Sequence, residues 1–399
     1  MKKIILLAAF ICSVTIVNAQ WHQTTLDSGQ VYCLASSGSN IFAGTYSNGV
    51  YVSTDGGTSW AASNSGLTNM SVHSLAINGS NIFAGTYGDG IFLSTDNGSH
   101  WAAVNTGLGN LFINSLAVSG STVYAGTFDS LFVSNNNGAL WTAVNLGSIN
   151  TLINSVTTNG SDIYVGTYDS LLISTNSGTS WTGPADSTIS ETNIIALATS
   201  GTNIYVTTDN GVFLSTNNGG DWSSINNGLP STIVTALITN GTEIFAGTYG
   251  GGAYFSTDSG TVWTPIDTGL TNLYIQSFVI NGTNLFAGTD GAGVWSRPLS
   301  ELTQIKENSN NVHFALYPNP SNGKATIAFA QSEPVAGGSS NSLNYDITIY
   351  NMLGEKVMQF SAAKDKLSTE LDLSSSPNGV YYVTIKSGDS ISTRKLVKE

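Results

Sequence analysis

Five aspartates stand where a sugar or a cation could be held. Asp89, Asp129, Asp169, Asp209 and Asp290 each lie close behind a Gly-Thr or Thr-Thr pair. In five repeats that pair leads into an aromatic: Tyr46, Tyr87, Phe128, Tyr168 and Tyr249. Asn48 and Gly250–Gly252 occupy the corresponding turns of the two copies that lack the acid. Aromatic faces beside carboxylate acceptors suit neutral sugars, and an acidic ring could hold Ca²⁺. The alternative is that Asp and Asn only form turns and the aromatics fill gaps between repeats. Glycoside hydrolysis needs one protonated and one ionised carboxyl at a set separation. Asp186 and Glu191, in a longer loop after Trp181, are the acids that leave the repeat pattern. His22, His73 and His100 have no triad context, His/Cys metal-ligand spacing is absent, and no cofactor other than Ca²⁺ is suggested. Cys33 aligns with small residues of the other repeats and reads as a buried small side chain.

The charge pattern excludes whole classes of partner. Between Lys3 and Arg297 there is no lysine or arginine, whereas fifteen acids fall in that span. Nucleic-acid binding needs cationic groups that displace phosphate counterions, and anionic lipid surfaces make the same demand. Both are excluded for this span.

These residues are positioned by a repeat. Its anchor is Ser53-Thr54-Asp55-Gly56-Gly57-Thr58-Ser59-Trp60, which returns as Ser94–Trp101, Ser134–Trp141, Ser174–Trp181, Ser215–Trp222 and Ser256–Trp263. The tryptophans are 41, 40, 40, 41 and 41 residues apart. The third position is Asp55, Asp96 or Asp258 in three copies and Asn136, Asn176 or Asn217 in the others. Asn keeps the acceptor and loses proton chemistry, so the box reads as a structural clip closed by Trp60, Trp101, Trp141, Trp181, Trp222 and Trp263. The flanking segments alternate and are rich in β-branched and aromatic residues, which is strand chemistry. Each Trp is expected to open the fourth strand and cover its hairpin. Seven first strands can be counted, and the seventh repeat lacks a box and a fourth strand. Trp21-His22-Gln23-Thr24-Thr25-Leu26-Asp27-Ser28-Gly29 matches the segment after Trp263, so the N-terminus is expected to complete the last repeat.

The boxes resemble the Asp-box (BNR) repeats of sialidases, sortilin-type receptors, xyloglucanases and photosystem assembly factors, all β-propellers. The resemblance covers residues 21–297 and implies an all-β fold with a seven-bladed Asp-box β-propeller. Sialidases of that group grip their substrate with three arginines. This chain has only Arg297, after the last Ala-Gly-Thr, and Arg394, in the C-terminal region, so sialidase activity does not carry over. Xyloglucanase-type relatives use two facing propellers, and the repeats here make one.

At the N-terminus, Lys2, Lys3, an apolar run and Val17-Asn18-Ala19 form a secretory signal peptide over residues 1–19, too short to count as a transmembrane span. The propeller is assigned to 20–297 and a polar linker to 298–312. Residues 313–399 carry Tyr317-Pro318-Asn319-Pro320, Ile349-Tyr350-Asn351-Met352-Leu353-Gly354, Pro377-Asn378-Gly379-Val380-Tyr381 and Lys395-Leu396-Val397. These resemble the type A C-terminal sorting domain of the type IX secretion system of Bacteroidota-type bacteria, a small Ig-like β-sandwich sorting domain. The resemblance implies passage through the periplasm, recognition by the type IX machinery, and release or attachment at the outer-membrane surface. The favoured reading is a non-catalytic propeller that binds glycans or surface proteins. A secreted hydrolase of neutral glycans is the alternative.

Overall fold

The computed structural model describes residues 20–147, 152–184, 187–189, 191–230, 233–302, 314–329, 344–352, 355–363, 368–387 and 390–399. The expected signal peptide, residues 303–312 of the expected linker, and Asp186 lie outside them. Contacts divide the chain into two units, Met1–Thr303 and Gln304–Glu399.

The first unit is a β-propeller. Its first blade runs Gly29–Ser37, Asn40–Thr45, Val50–Ser53 and Ala61–Ala62, paired antiparallel in that order. Six further blades repeat the meander, starting at Val72, Ile113, Ile153, Ile194, Val234 and Ile275. In the fourth blade the outer strand shrinks to a bridge between Ile173 and Thr182. The inner strands touch in sequence order, and the seventh touches the first, so the ring closes.

Face-to-face packing explains the apolar second strands. Asn40–Thr45 is buried at every position after the first, because a blade lies against each of its faces. The Gly of each Ala-Gly-Thr makes room for the neighbour. A Cβ on Gly44 would collide with Val72, and one on Gly85 with Ile113. Gly126, Gly166 and Gly247 stand likewise under Ile153, Ile194 and Ile275, and Gly288 under Val31 closes the circle. Where the pattern degenerates, Thr207 takes the glycine's place and its hydroxyl accepts from the Ala196 amide at 2.9 Å.

Asp and Asn boxes adopt one geometry. The Ser256 hydroxyl donates to Asp258 (2.7 Å) and accepts from the Gly260 amide (2.9 Å), and Asp258 also accepts from the Val262 amide (3.0 Å). In the Asn136 copy the three corresponding bonds, to Ser134, Gly138 and Leu140, are 2.8, 2.8 and 2.9 Å. The tryptophan behaves differently from expectation. It precedes the fourth strand and reaches back to the preceding blade. Trp101 donates from Nε1 to the Ser63 carbonyl (2.8 Å) and from its amide to Ser65 (2.8 Å). Trp141 does the same to Val104 and Thr106, and Trp263 to Ile225 and Asn227. A Cβ on Gly66, which has φ +94°, would collide with the Trp101 carbonyl, so this glycine is required where the chains cross. Trp222 instead donates to Gly219 of its own box (3.2 Å), and the indole N–H groups of Trp60 and Trp181 are buried without a partner.

The N-terminus completes the seventh blade. His22 and Gln23 pair with Ser296 and Trp295, and the buried Trp21 donates to Ile266 and Thr268 in the manner of Trp101, Trp141 and Trp263. The unit extends past the expected end at 297. Val294–Pro298 is a strand, Arg297 is buried and donates to the Ile266 carbonyl (2.8 Å), and Leu299 and Leu302 pack on the seventh-blade core.

The second unit is a small β-sandwich. Phe314–Tyr317, Lys324–Phe329 and Ser368–Asp372 form one sheet. Lys356–Ala363, Asn344–Asn351, Gly379–Ser387 and Ser390–Lys398 form the other. One core, with Ile327, Leu371, Ile347, Val383 and Ile385 at its centre, joins them.

Trp21→Ala should remove about 3–5 kcal/mol and open the ring, read as a lowered urea midpoint. Ser256→Ala should cost about 1 kcal/mol, whereas Asp258→Asn should stay within about 0.5 kcal/mol of the parent. Asp55 is held down to about 2 chiefly by the Ser59 hydroxyl, and Asp96 to about 2 chiefly by His100. Depressed pKa values stabilise the fold above the ordinary carboxylate range near 4 and lose that contribution as pH falls through about 2. Asp55→Asn should therefore flatten the acid limb of the stability–pH curve between those values.

Candidate binding face

Each second strand carries a threonine at its end, or two residues before it in the seventh blade, that builds the turn behind it. The Thr45 hydroxyl donates to the Gly49 carbonyl (2.8 Å) and accepts from the Asn48 amide (3.0 Å). Thr86, Thr248 and Thr289 make the same bond to Gly90, Gly252 and Gly293. The residue after that threonine is thereby presented at the start of the inner strands, on the face opposite the boxes. Seven residues share this register: Tyr46, Tyr87, Phe128, Tyr168, Asp209, Tyr249 and Asp290. The five aromatics are 36–59% exposed.

The structure separates the five aspartates into two kinds. Asp209 and Asp290 stand in the aromatic register itself. Asp89, Asp129 and Asp169 come one or two residues later, in the turn. Asp89 accepts from the Thr68 hydroxyl (2.6 Å) and Asp129 from Thr127 (3.0 Å), while the Asp169 amide donates to Thr167 (3.2 Å). Among the described residues no three Asp, Glu, His or Cys side chains converge as a metal site would need, so the aspartates do not form one acidic ring around a Ca²⁺. Glu191 is exposed, with φ at +54°.

Two further columns of residues join the face, and the sequence reading missed both. Each inner strand begins with a bulge, which turns Tyr32, His73, Asn114 and Asn154 toward the face. Two residues earlier stand Gln30, Phe112, Leu152, Asn193 and Tyr274. Comparing repeats at the forty-residue offset around the bulge, and not only after Gly-Thr, would have exposed these columns.

Together they make a girdle. Tyr46 meets Tyr32 edge-on (5.7 Å between ring centres), and Tyr32 meets His73 at 4.6 Å. His73 stacks on Tyr87 (4.8 Å), Tyr87 meets Phe112 edge-on (5.0 Å), and Phe112 stacks on Phe128 (5.2 Å). The arc continues past an open depression of about 520 Å³ between Phe128 and Tyr168, floored by Leu152, Ile195 and three asparagines. Asn154 donates to the Asn193 side-chain oxygen (2.8 Å) and to the Ile194 carbonyl (3.0 Å). Asn193 donates to Asp209 (3.4 Å), and Asn114 to the Ile153 carbonyl (3.2 Å). Tyr249 and Tyr274 pair edge-on at 4.9 Å, and Gln30 donates to Asp290 beside Tyr32. Burial raises the Tyr32 pKa, with the Asp290 charge adding to it, and burial lowers that of His73. Both rings are therefore uncharged at neutral pH.

Burial between the first two blades pushes the Cys33 thiol up to about 12, which leaves it unreactive at neutral pH.

Comparison with known proteins agrees with this architecture. Residues 315–399 match the Secretion system C-terminal sorting domain family, which places the chain among type IX exported proteins of the cell surface or extracellular space. No curated protein sequence matches the chain significantly. Among solved structures, the extracellular domain of a putative one-component system from B. thetaiotaomicron superposes with a TM-score of 0.59 at 19% identity, covering 94% of this chain and 52% of that one. The chain thus spans about half the length of that relative. The GH74 xyloglucanase of Xanthomonas campestris gives 0.59 at 14% identity, covering 94% and 75%. YCF48 from Cyanidioschyzon merolae gives 0.55 at 17%, covering 70% and 98%. These likenesses establish the propeller fold. Among the described residues no helix is long and apolar enough to cross a membrane.

The stacked pair at the centre of the arc can be tested directly. A double-mutant cycle on Phe112→Ala and Phe128→Ala should show a coupling of about 0.5–1.5 kcal/mol in urea unfolding.

Proposed function

We propose that the chain is an exported, non-catalytic binding protein whose ligand, a glycan or a segment of a surface protein, rests on the girdle. The observation that carries this reading is the row of five exposed aromatics at one register, held there by buried threonine turns that have no need of an aromatic. Exposed apolar surface gathered on one face of a secreted fold is costly unless something covers it. The sorting domain supports export, so the ligand is met outside the cell or on its surface.

Catalysis is the weaker reading. A hydrolase needs a carboxyl whose pKa is raised so that it can donate a proton. The described carboxyls with clear shifts all move downward through hydrogen bonds: Asp55, Asp96 and Asp258 in the box turns, away from the girdle, and Asp372 in the second unit. A xyloglucanase among the fold neighbours keeps hydrolysis of neutral glycans as the competing reading. Asp209 in blade five and Asp290 in blade seven would then be the acids to examine.

Full-length protein incubated with neutral and acidic glycans and with surface-protein extracts, followed by mass measurement of every retained species, separates the two. Retention of intact ligand, weakened about ten-fold or more by Tyr87→Ala or Tyr168→Ala, is the expected result. Shortened glycans, with cleavage abolished by Asp209→Asn or Asp290→Asn, would replace the binding reading with a hydrolase.

A further inference from the structure

The girdle offers aromatic faces and side-chain oxygens, and its tyrosine hydroxyls can accept as well as donate. The Asn154 amide nitrogen is committed to Asn193 and to Ile194, so what this residue offers a ligand in the depression it lines is its oxygen, an acceptor. Asn193 and Asn114 have each spent a donor inside the protein, on Asp209 and on Ile153. The Gln30 amide is likewise directed to Asp290. A cation asks only for acceptors and for aromatic faces, which attract it through the ring quadrupole.

The charge of the whole face points the same way. Asp89, Asp129, Asp169, Asp209 and Asp290 lie on it, no lysine or arginine occurs between residues 3 and 297, and burial keeps His73 neutral. Such a surface concentrates cations and repels anions. Its stations recur once per blade around the arc, so a chain carrying several cations fits better than one small amine.

Resting on the binding role proposed above, we infer that the girdle recognises a lysine- or arginine-bearing polypeptide segment, with the depression between Phe128 and Tyr168 taking one cationic side chain. Phe128 and Tyr168 flank the cation and Asn154 accepts from it, while Asp209, which accepts from Asn193 beside the depression, supplies negative charge.

The test is calorimetric titration of the full-length protein with four probes. They are a short peptide alternating alanine with lysine, the same peptide acetylated on every lysine amine, its glutamate counterpart, and a neutral cello-oligosaccharide. The lysine peptide should bind, weaken as salt is raised, and lose about ten-fold or more on acetylation. Tyr168→Ala and Asp209→Asn should each weaken it several-fold. Asp221→Asn, which removes the same charge from the exposed box turn, should leave it within about two-fold. Equal binding of the acetylated peptide, or an equal loss with Asp221→Asn, overturns the inference, because charge at this site is then not what is read. Preferential binding of the oligosaccharide, lost with Tyr168→Ala, overturns it while leaving the girdle as the binding face. Indifference of every probe to Tyr168→Ala overturns both.

Discussion

The close contact between neighbouring blades is the constraint on which the rest of this structure depends. Six times a second-strand glycine lies under a valine or isoleucine of the next inner strand, with no space for a Cβ between them. That approach lets two sheets exclude water over their full faces, and burial of apolar area is the dominant stabilising term in such a fold. Ion pairs contribute little by comparison. In the described propeller residues the only pair with a lysine or arginine is Arg297 with Glu301, at 3.9 Å. A propeller almost without cations must be held by packing and backbone hydrogen bonds. The tryptophan clips serve the same end on the outer rim, where an indole fixes the spacing of successive blades by bonding backward to a carbonyl.

This scaffold leaves the opposite face free to vary. The threonine turn and the bulge fix where a side chain emerges, but neither restricts which side chain it is. One register can hence hold tyrosine in four blades, phenylalanine in one and aspartate in two without disturbing the ring. The same separation explains why the boxes tolerate Asn for Asp. Their work is to accept two hydrogen bonds, which an amide oxygen does as well as a carboxylate.

Much of the architecture was legible in the residues. Period-two alternation, the forty-residue return of Ser-x-Asp/Asn-x-Gly and Trp, and the match of Trp21–Gly29 to the segment after Trp263 foretold the blades and the N-terminal closure. The candidate face was only half legible. Aromatics after Gly-Thr were visible as a column, but Tyr32, His73 and Phe112 were not, since they reach the face only through the bulge of the inner strand. Asp209 and Asp290 passed for turn formers like Asp89 because position along the chain does not reveal which of two adjacent residues points outward.

By itself, then, the sequence determined the repeat, the strand chemistry, the lack of lysine and arginine between Lys3 and Arg297 and the C-terminal sorting domain, because each is a property of local pattern or composition. Only the tertiary structure decided that Trp101 clips the blade before it, that the fold continues through Arg297 to Leu302, and that Phe128, Tyr168, Asn154 and Asn193 surround one depression. Those relations join residues about forty positions apart. They arise when closure of the ring fixes how far each blade is turned against the next, and no local pattern records that angle.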